Sequence, residues 1–142
     1  MTAAAILKEK GGQVFSIAPD VTLFEAAQEL SRRRVGALVV LDTQRALVGV
    51  VSERDIVREA GLRGGAAMEA PVSVCMTARV VTVNPEATHG EMFELMTDRR
   101  IRHLPVLDGA NLVGVISIGD VVKARIQAIE AEAAALKDYV LS

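Results

Sequence analysis

Aromatic side chains are nearly missing from this sequence: 142 residues include three phenylalanines, one tyrosine and no tryptophan. So few rings leave no stacking platform for single-stranded nucleic acid, and they require a core of Val, Ile, Leu and Ala. Cysteine is as scarce. Cys75 has no partner for an intramolecular disulfide, and no Cys/His cluster has metal-ligand spacing, so a reducing, cytoplasmic setting is expected. Neither sign of charge dominates, and a net charge of −2 gives no global field that would draw the protein onto nucleic acid. Long apolar runs are absent as well. Ala37 to Leu41 is far shorter than a membrane span, and Lys8-Glu9-Lys10 ends the stretch from Met1 before it reaches the length of a secretory signal. A soluble protein away from the membrane is the expectation.

What is present is enough apolar sequence to fold, 51% hydrophobic against 24% charged. It is written twice. Ile17-Ala18-Pro19 aligns with Val83-Asn84-Pro85 at an offset of 66, and so do Thr22-Leu23-Phe24-Glu25 with Thr88-His89-Gly90-Glu91 and Val35 to Asp42 with Ile101 to Asp108. From Leu47-Val48-Gly49-Val50 on Leu112-Val113-Gly114-Val115 the offset is 65. A sustained offset with a single slip in a turn marks a tandem duplication, since length changes in turns cost little.

Each copy reads as β-α-β-β-α. Short β-branched strands at Val14 to Ile17 and Val80 to Val83 run into Pro. Thr22 and Thr88 then open a T-x-x-E capping box, in which side chain and backbone satisfy each other's orphan groups at a helix start. Two apolar strands follow, Ala37 to Leu41 and Leu47 to Val51 in the first copy, and Asp108-Gly109 supplies a tight hairpin turn in the second. Nearly continuous apolar runs suit a sheet covered on both faces. Second helices begin at Ser52 and Ser117, and Gly61 to Ala78 forms a Gly-interrupted connector with a helical turn within Ala66 to Met76.

Both copies carry G-x-x-S-x-x-D at the strand-to-helix junction, as Gly49-Val50-Val51-Ser52-Glu53-Arg54-Asp55 and Gly114-Val115-Ile116-Ser117-Ile118-Gly119-Asp120. Gly lets a ligand or another strand approach the backbone closely. Ser at a helix start, among free backbone N–H groups, offers a phosphate or hydroxyl site, and the two acceptor oxygens of Asp suit the paired hydroxyls of a ribose. For one copy alone, Ser followed three residues later by an acid reads first as an ordinary helix cap. The recurrence of all three residues after an apolar strand in both copies turns the reading toward a ligand.

With the two T-x-x-E helix starts, the apolar hairpins and the strand Arg102-His103-Leu104-Pro105-Val106, these signatures make the chain resemble tandem CBS domains from about Val14 to Lys123. The resemblance implies an α+β fold in which two β-α-β-β-α motifs pack with pseudo-two-fold symmetry, a Bateman module, with a C-terminal helix added. It implies residues 1–70 as the first motif with a short N-terminal segment, 71–125 as the second, and 121–142 as the helix continuing from it. It further implies clefts between the motifs for an adenosine-containing ligand: AMP, ADP, ATP, NAD or S-adenosylmethionine. Asp55 and Asp120 would then bind ribose, Ser52 and Ser117 would lie near ribose or phosphate, and Ile17 and Val83 would face the base.

Basic residues gather where phosphates would sit. Arg32, Arg33 and Arg34 close the first helix of copy one; Arg99, Arg100, Arg102 and His103 occupy the matching region of copy two. Most of these suit a helix C-terminus or a solvated surface. Arg102 and His103 are the phosphate candidates because they enter a strand bordering the cleft, where copy one has Gly36 and Ala37. His89 reads as a surface residue, Cys75 as a small buried or linker residue, and Met92 and Met96, four apart, as core packing. Beyond Asp120, Val122, Ile126, Ile129, Ala133, Leu136 and Val140 follow a 4-3-4-3-4 spacing, a heptad seam that suits a second subunit. The expected function is a regulatory sensor of adenine nucleotides, a homodimer that signals to a separate protein; the alternative is an interaction scaffold whose clefts stay empty. An enzyme is the least supported class, since no nucleophile–base pair, metal set or P-loop appears.

Overall fold

The computed structural model describes all 142 residues. In chain order the elements are α1 (Ala3–Lys10), β1 (Ser16–Ile17), α2 (Leu23–Arg33), β2 (Ala37–Leu41), β3 (Leu47–Ser52), α3 (Glu53–Arg63), two 3-10 turns (Gly64–Glu69 and Val72–Val74), α4 (His89–Arg99), β4 (His103–Asp108), β5 (Asn111–Ser117) and α5 (Ile118–Leu141). The fold is α+β and repeats the β-α-β-β-α order.

Two compact units result: Val14–Val81, and Met1–Gln13 together with Thr82–Ser142. The sequence reading keeps residues 1–70 together as the first motif; by contacts residues 1–13 group with the second copy. The N-terminal segment belongs with the second copy because its backbone is tied there: Ala3 N donates to Ala87 O (2.7 Å), Ala4 N to Pro85 O (2.8 Å), and His89 N to Met1 O (2.8 Å). In the first unit the segment before the second copy takes the same place. Val72 N donates to Val21 O, Ser73 N to Pro19 O, and Leu23 N to Ala70 O. Each copy is thus completed by the segment that precedes the other one.

In the first unit the strand order is β1-β2-β3, with β1 parallel to β2 and β2 antiparallel to β3. Leu38, Val40 and Val51 pack with Leu23, Ala26 and Leu30 of α2 and with Ile56 of α3. The alternation of side chains along a strand puts Leu38 and Val40 on that face; Val39 and Leu41 are buried as well, in line with the nearly continuous apolar run. In the second unit β4 and β5 pair antiparallel, and Met92, Met96, Leu104, Val106, Ile116 and Val121 are fully buried. The strand expected over Val80 to Val83 shrinks to one parallel bridge between Val83 and Val106, carried by Val83 N to Pro105 O and Leu107 N to Val83 O.

Helix starts and ends repeat between copies. Thr22 and Thr88 cap α2 and α4 by accepting from Glu25 N and Glu91 N, although Glu25 reaches the Thr22 hydroxyl rather than its backbone. Arg34 and Arg100 stop these helices in the left-handed conformation, at φ 56° and 54°. Arg32 and Arg33 pair with Glu29 one turn back, and Arg33 also lies over the Phe15 ring. These arginines serve helix termini and surface packing.

Candidate functional site: the strand-to-helix junctions

At both junctions the strand runs directly into its helix, and Ser is the N-cap. In copy one Asp55 N donates to Ser52 Oγ (3.3 Å), while Ser52 N donates to Asp55 Oδ2 (2.8 Å) and the hydroxyl donates to the same oxygen (3.1 Å). In copy two Asp120 N donates to Ser117 Oγ (3.2 Å) and Ser117 N donates to Asp120 Oδ2 (2.8 Å). Both are full capping boxes, so the reciprocal box is at Ser-x-x-Asp rather than at Thr-x-x-Glu. The capping reading weighed for a single copy therefore holds in both.

The neighbouring strand supplies the next residues. Ala37 pairs with Ser52, and His103 pairs with Ser117. Glu53 N donates to Gly36 O (3.0 Å), and Ile118 N donates to Arg102 O (2.8 Å). The structure thus sets the backbone of His103 beside Ser117 and that of Arg102 beside Ile118, with Arg102 exposed and His103 half-buried. Ile17 and Val83 are not brought there. Ile17 pairs with Val40 across β2 from β3 and packs against the core. Val83 likewise has β4 between it and β5, and it lines an open depression with Glu91, Glu94 and Asp98 of α4.

The two glycines of the motif have a definite occupant. A Cβ on Gly49 would meet Met76 Sδ at 2.5 Å and Thr77 O at 3.2 Å; one on Gly114 would meet Leu7 Cδ2 at 2.5 Å. The close approach expected there is made by the docked segment. Met76 and Thr77 also belong to the segment that extends the first sheet, where Thr77 N donates to Val50 O (2.9 Å) and Val50 N to Thr77 O (3.1 Å).

Copy two replaces that backbone pairing with a side chain missed from the sequence. Lys10, the last residue of α1, donates to Val115 O (2.9 Å), the position matching Val50, and to Asp120 Oδ2 (2.6 Å). Burial alone would push the Asp120 carboxyl up, but the Lys10 ammonium and the hydrogen bonds from Ser117 outweigh it and hold the carboxyl below its ordinary value. Asp55, only 7% exposed, is held instead by Arg58 of its own helix at 2.9 Å. The signal for Lys10 is faint. It requires shifting the offset to 69, so that Met1 to Leu7 falls on Ala70 to Met76 with apolar residues paired but no residue repeated.

Two junctions of one design, in two copies of one motif, define a paired-repeat module, and comparison with known proteins says which. The CBS domain model matches residues 8–61 and again 72–127. The chain belongs to the CBS domain family. It is 35% identical to the CBS domain-containing protein CBSX3, mitochondrial, of Arabidopsis thaliana over 98% of this chain and 71% of that one. The crystal structure of a CBS-domain containing protein from Agrobacterium tumefaciens matches with a TM-score of 0.86 at 41% identity, covering 87% of this chain and 92% of that one. A CBS domain protein from Pyrobaculum aerophilum, complexed with AMP, matches with a TM-score of 0.76 at 30% identity, covering 84% and 89%. No helix is long and apolar enough to cross a membrane.

Proposed function

We propose that this chain is a non-catalytic, ligand-sensing regulatory module that binds an adenosine-containing nucleotide (AMP, ADP, ATP or NAD) and passes the signal to a separate protein. The observation that carries this reading is the junction itself: Ser at a helix start and Asp one turn on, built the same way twice, in a fold whose Pyrobaculum aerophilum relative is described with AMP. Asp55 and Asp120 present carboxylate oxygens to the ribose, and Ser52 and Ser117 stand beside the helix N-termini, where backbone N–H groups favour anions. Arg102 and His103 add phosphate contacts at copy two alone. A strand separates Ile17 and Val83 each from its junction, which leaves them a base-facing role alone. The lone buried thiol of Cys75 fits a reducing compartment such as the cytoplasm.

A thermal-melt panel of AMP, ADP, ATP and NAD tests the reading. A ligand selective for the native state adds RT ln(1 + [L]/Kd), about 2.7 kcal/mol at a hundredfold excess over Kd, so at least one of the four is expected to raise the melting temperature by several degrees. The second reading, an interaction scaffold without nucleotide, is favoured by one observation: both carboxylates are already engaged in capping. A flat panel would favour it.

The homodimer belongs to the same proposal. From Ala128 to Ser142 every residue of the chain end is exposed, and Ile126, Ile129, Leu136 and Val140 are 50–72% exposed along one seam. Such a stretch of helix is marginal in water by itself. A parallel copy of α5 would align the whole seam and set Arg125 against Glu130 and Glu132 against Lys137, two pairs of opposite charge beside it. Truncation after Arg125, read by light scattering, should leave a monomer; an unchanged oligomer would rule out α5 as the contact.

A further inference from the structure

The segment that docks on each junction is the same in kind and different in charge, and this difference bears on what copy two accepts. In copy one a backbone amide, Thr77 N, serves the strand carbonyl of Val50, and the cation on Asp55 comes from its own helix, three residues on. In copy two the ammonium of Lys10 serves both the carbonyl of Val115 and the carboxylate of Asp120. Its backbone is fixed: α1 is hydrogen-bonded at Ala3 and Ala4, and Gly11 N closes the helix onto Leu7 O at 2.8 Å. The side chain is 38% exposed and the Asp120 side chain 23%, so the ammonium is held at the surface of the second junction on a flexible four-carbon stem.

Resting on the nucleotide reading of Asp120 above, we propose that Lys10 is a specificity-determining residue of the second site, selecting phosphate-bearing ribosides over neutral nucleosides. A ribose whose paired hydroxyls take both carboxylate oxygens of Asp120 competes with the ammonium at Oδ2. Lys10 must then give up or share its counter-charge, and a partly desolvated cation left without one raises the free energy of the complex. A phosphate on the same sugar lies one ring away, within the sweep of the lysine stem, and restores an anionic partner. A neutral nucleoside has nothing to offer in exchange. At copy one Arg58 faces the same competition at Asp55 Oδ1, but its side chain is 55% exposed and water replaces the lost partner at less cost.

The test is calorimetric titration of the full chain with AMP and with adenosine, carried out in the Asp55→Ala background so that only the second site is read. The Asp55→Ala protein should prefer AMP. Adding Lys10→Met should shrink the ratio of AMP to adenosine affinity by about fivefold, with adenosine tighter and AMP weaker. Lys10→Arg should keep the preference, which separates charge from a merely structural role. A ratio unchanged in Lys10→Met, with both ligands still bound, overturns the assignment of Lys10 and leaves the nucleotide reading standing. If neither ligand binds the protein carrying only Asp55→Ala while the unsubstituted chain binds AMP, the second site takes no riboside and the assignment fails. If the unsubstituted chain binds none of the panel, the nucleotide reading falls and takes this one with it.

Discussion

Asp55→Asn combined with Asp120→Asn is expected to abolish nucleotide-induced stabilisation while the chain still folds. Asparagine keeps one side-chain oxygen, so the backbone N–H of Ser52 and of Ser117, each 2.8 Å from a carboxylate oxygen here, retains its acceptor. What is lost is the charge and one acceptor, the features a ribose diol exploits. The ion pairs to Arg58 and Lys10 weaken, but both are partly exposed, and such pairs contribute at most about 1 kcal/mol each. At a hundredfold excess of ligand over Kd the unsubstituted chain gains about 2.7 kcal/mol, and the double variant should gain nothing. Thermal melts with and without AMP read both quantities. A full ligand shift surviving in the double variant would remove both aspartates from the site.

The second large effect concerns the glycines, and it separates packing from binding. Gly49→Val and Gly114→Val should each destabilise by about 1–3 kcal/mol, the usual cost of overpacking, seen as a lower urea midpoint with no ligand present. Gly49→Val should be the worse of the two. The Thr77 carbonyl oxygen, 3.2 Å from the added Cβ, is backbone and cannot rotate away, whereas the three nearest atoms at Gly114 all belong to the Leu7 side chain. Leu7→Ala should therefore rescue part of Gly114→Val, and Met76→Ala less of Gly49→Val. Equal stability of both glycine variants with the unsubstituted chain would show that the docked segments do not fill these positions.

The β-α-β-β-α order, the duplication and the two Ser/Asp junctions were legible because local chemistry carries them. Apolar strands, Thr and Ser caps and the Asp108-Gly109 turn each signal within a few residues, and the repeat gives the strands and caps a second time. The strand Ala37 to Leu41 matched the structure at both ends. The exchange of N-terminal segments was not legible, because it depends on contacts between Ala3 and Ala87 or Leu7 and Gly114, far apart in sequence and made through backbone atoms and one leucine. Lys10 was hidden for the same reason: beside Glu9 it reads as an ordinary solvated helix end, and only the docking of α1 against β5 brings it to Asp120. Sequence pattern also overrated the short strand before Pro85. β-branched residues make a strand plausible, but one bridge at Val83 is all the second sheet accepts.

Asymmetry between the copies follows from these same contacts. Both junctions share the Ser and Asp geometry, yet only the second has Lys10, Arg102 and His103 beside it, and only the second continues into α5. Under the proposed nucleotide-sensing function, the anionic end of the ligand and the output are both expected at that copy.

Native mass spectrometry of the intact chain titrated with AMP, ADP, ATP and NAD gives the most direct reading of whether these junctions hold nucleotide. The expected spectrum shows a nucleotide adduct on the unsubstituted chain and none on the Asp55→Asn/Asp120→Asn chain. An unsubstituted chain that stays bare with all four, or a double variant that binds as well as its parent, would contradict it.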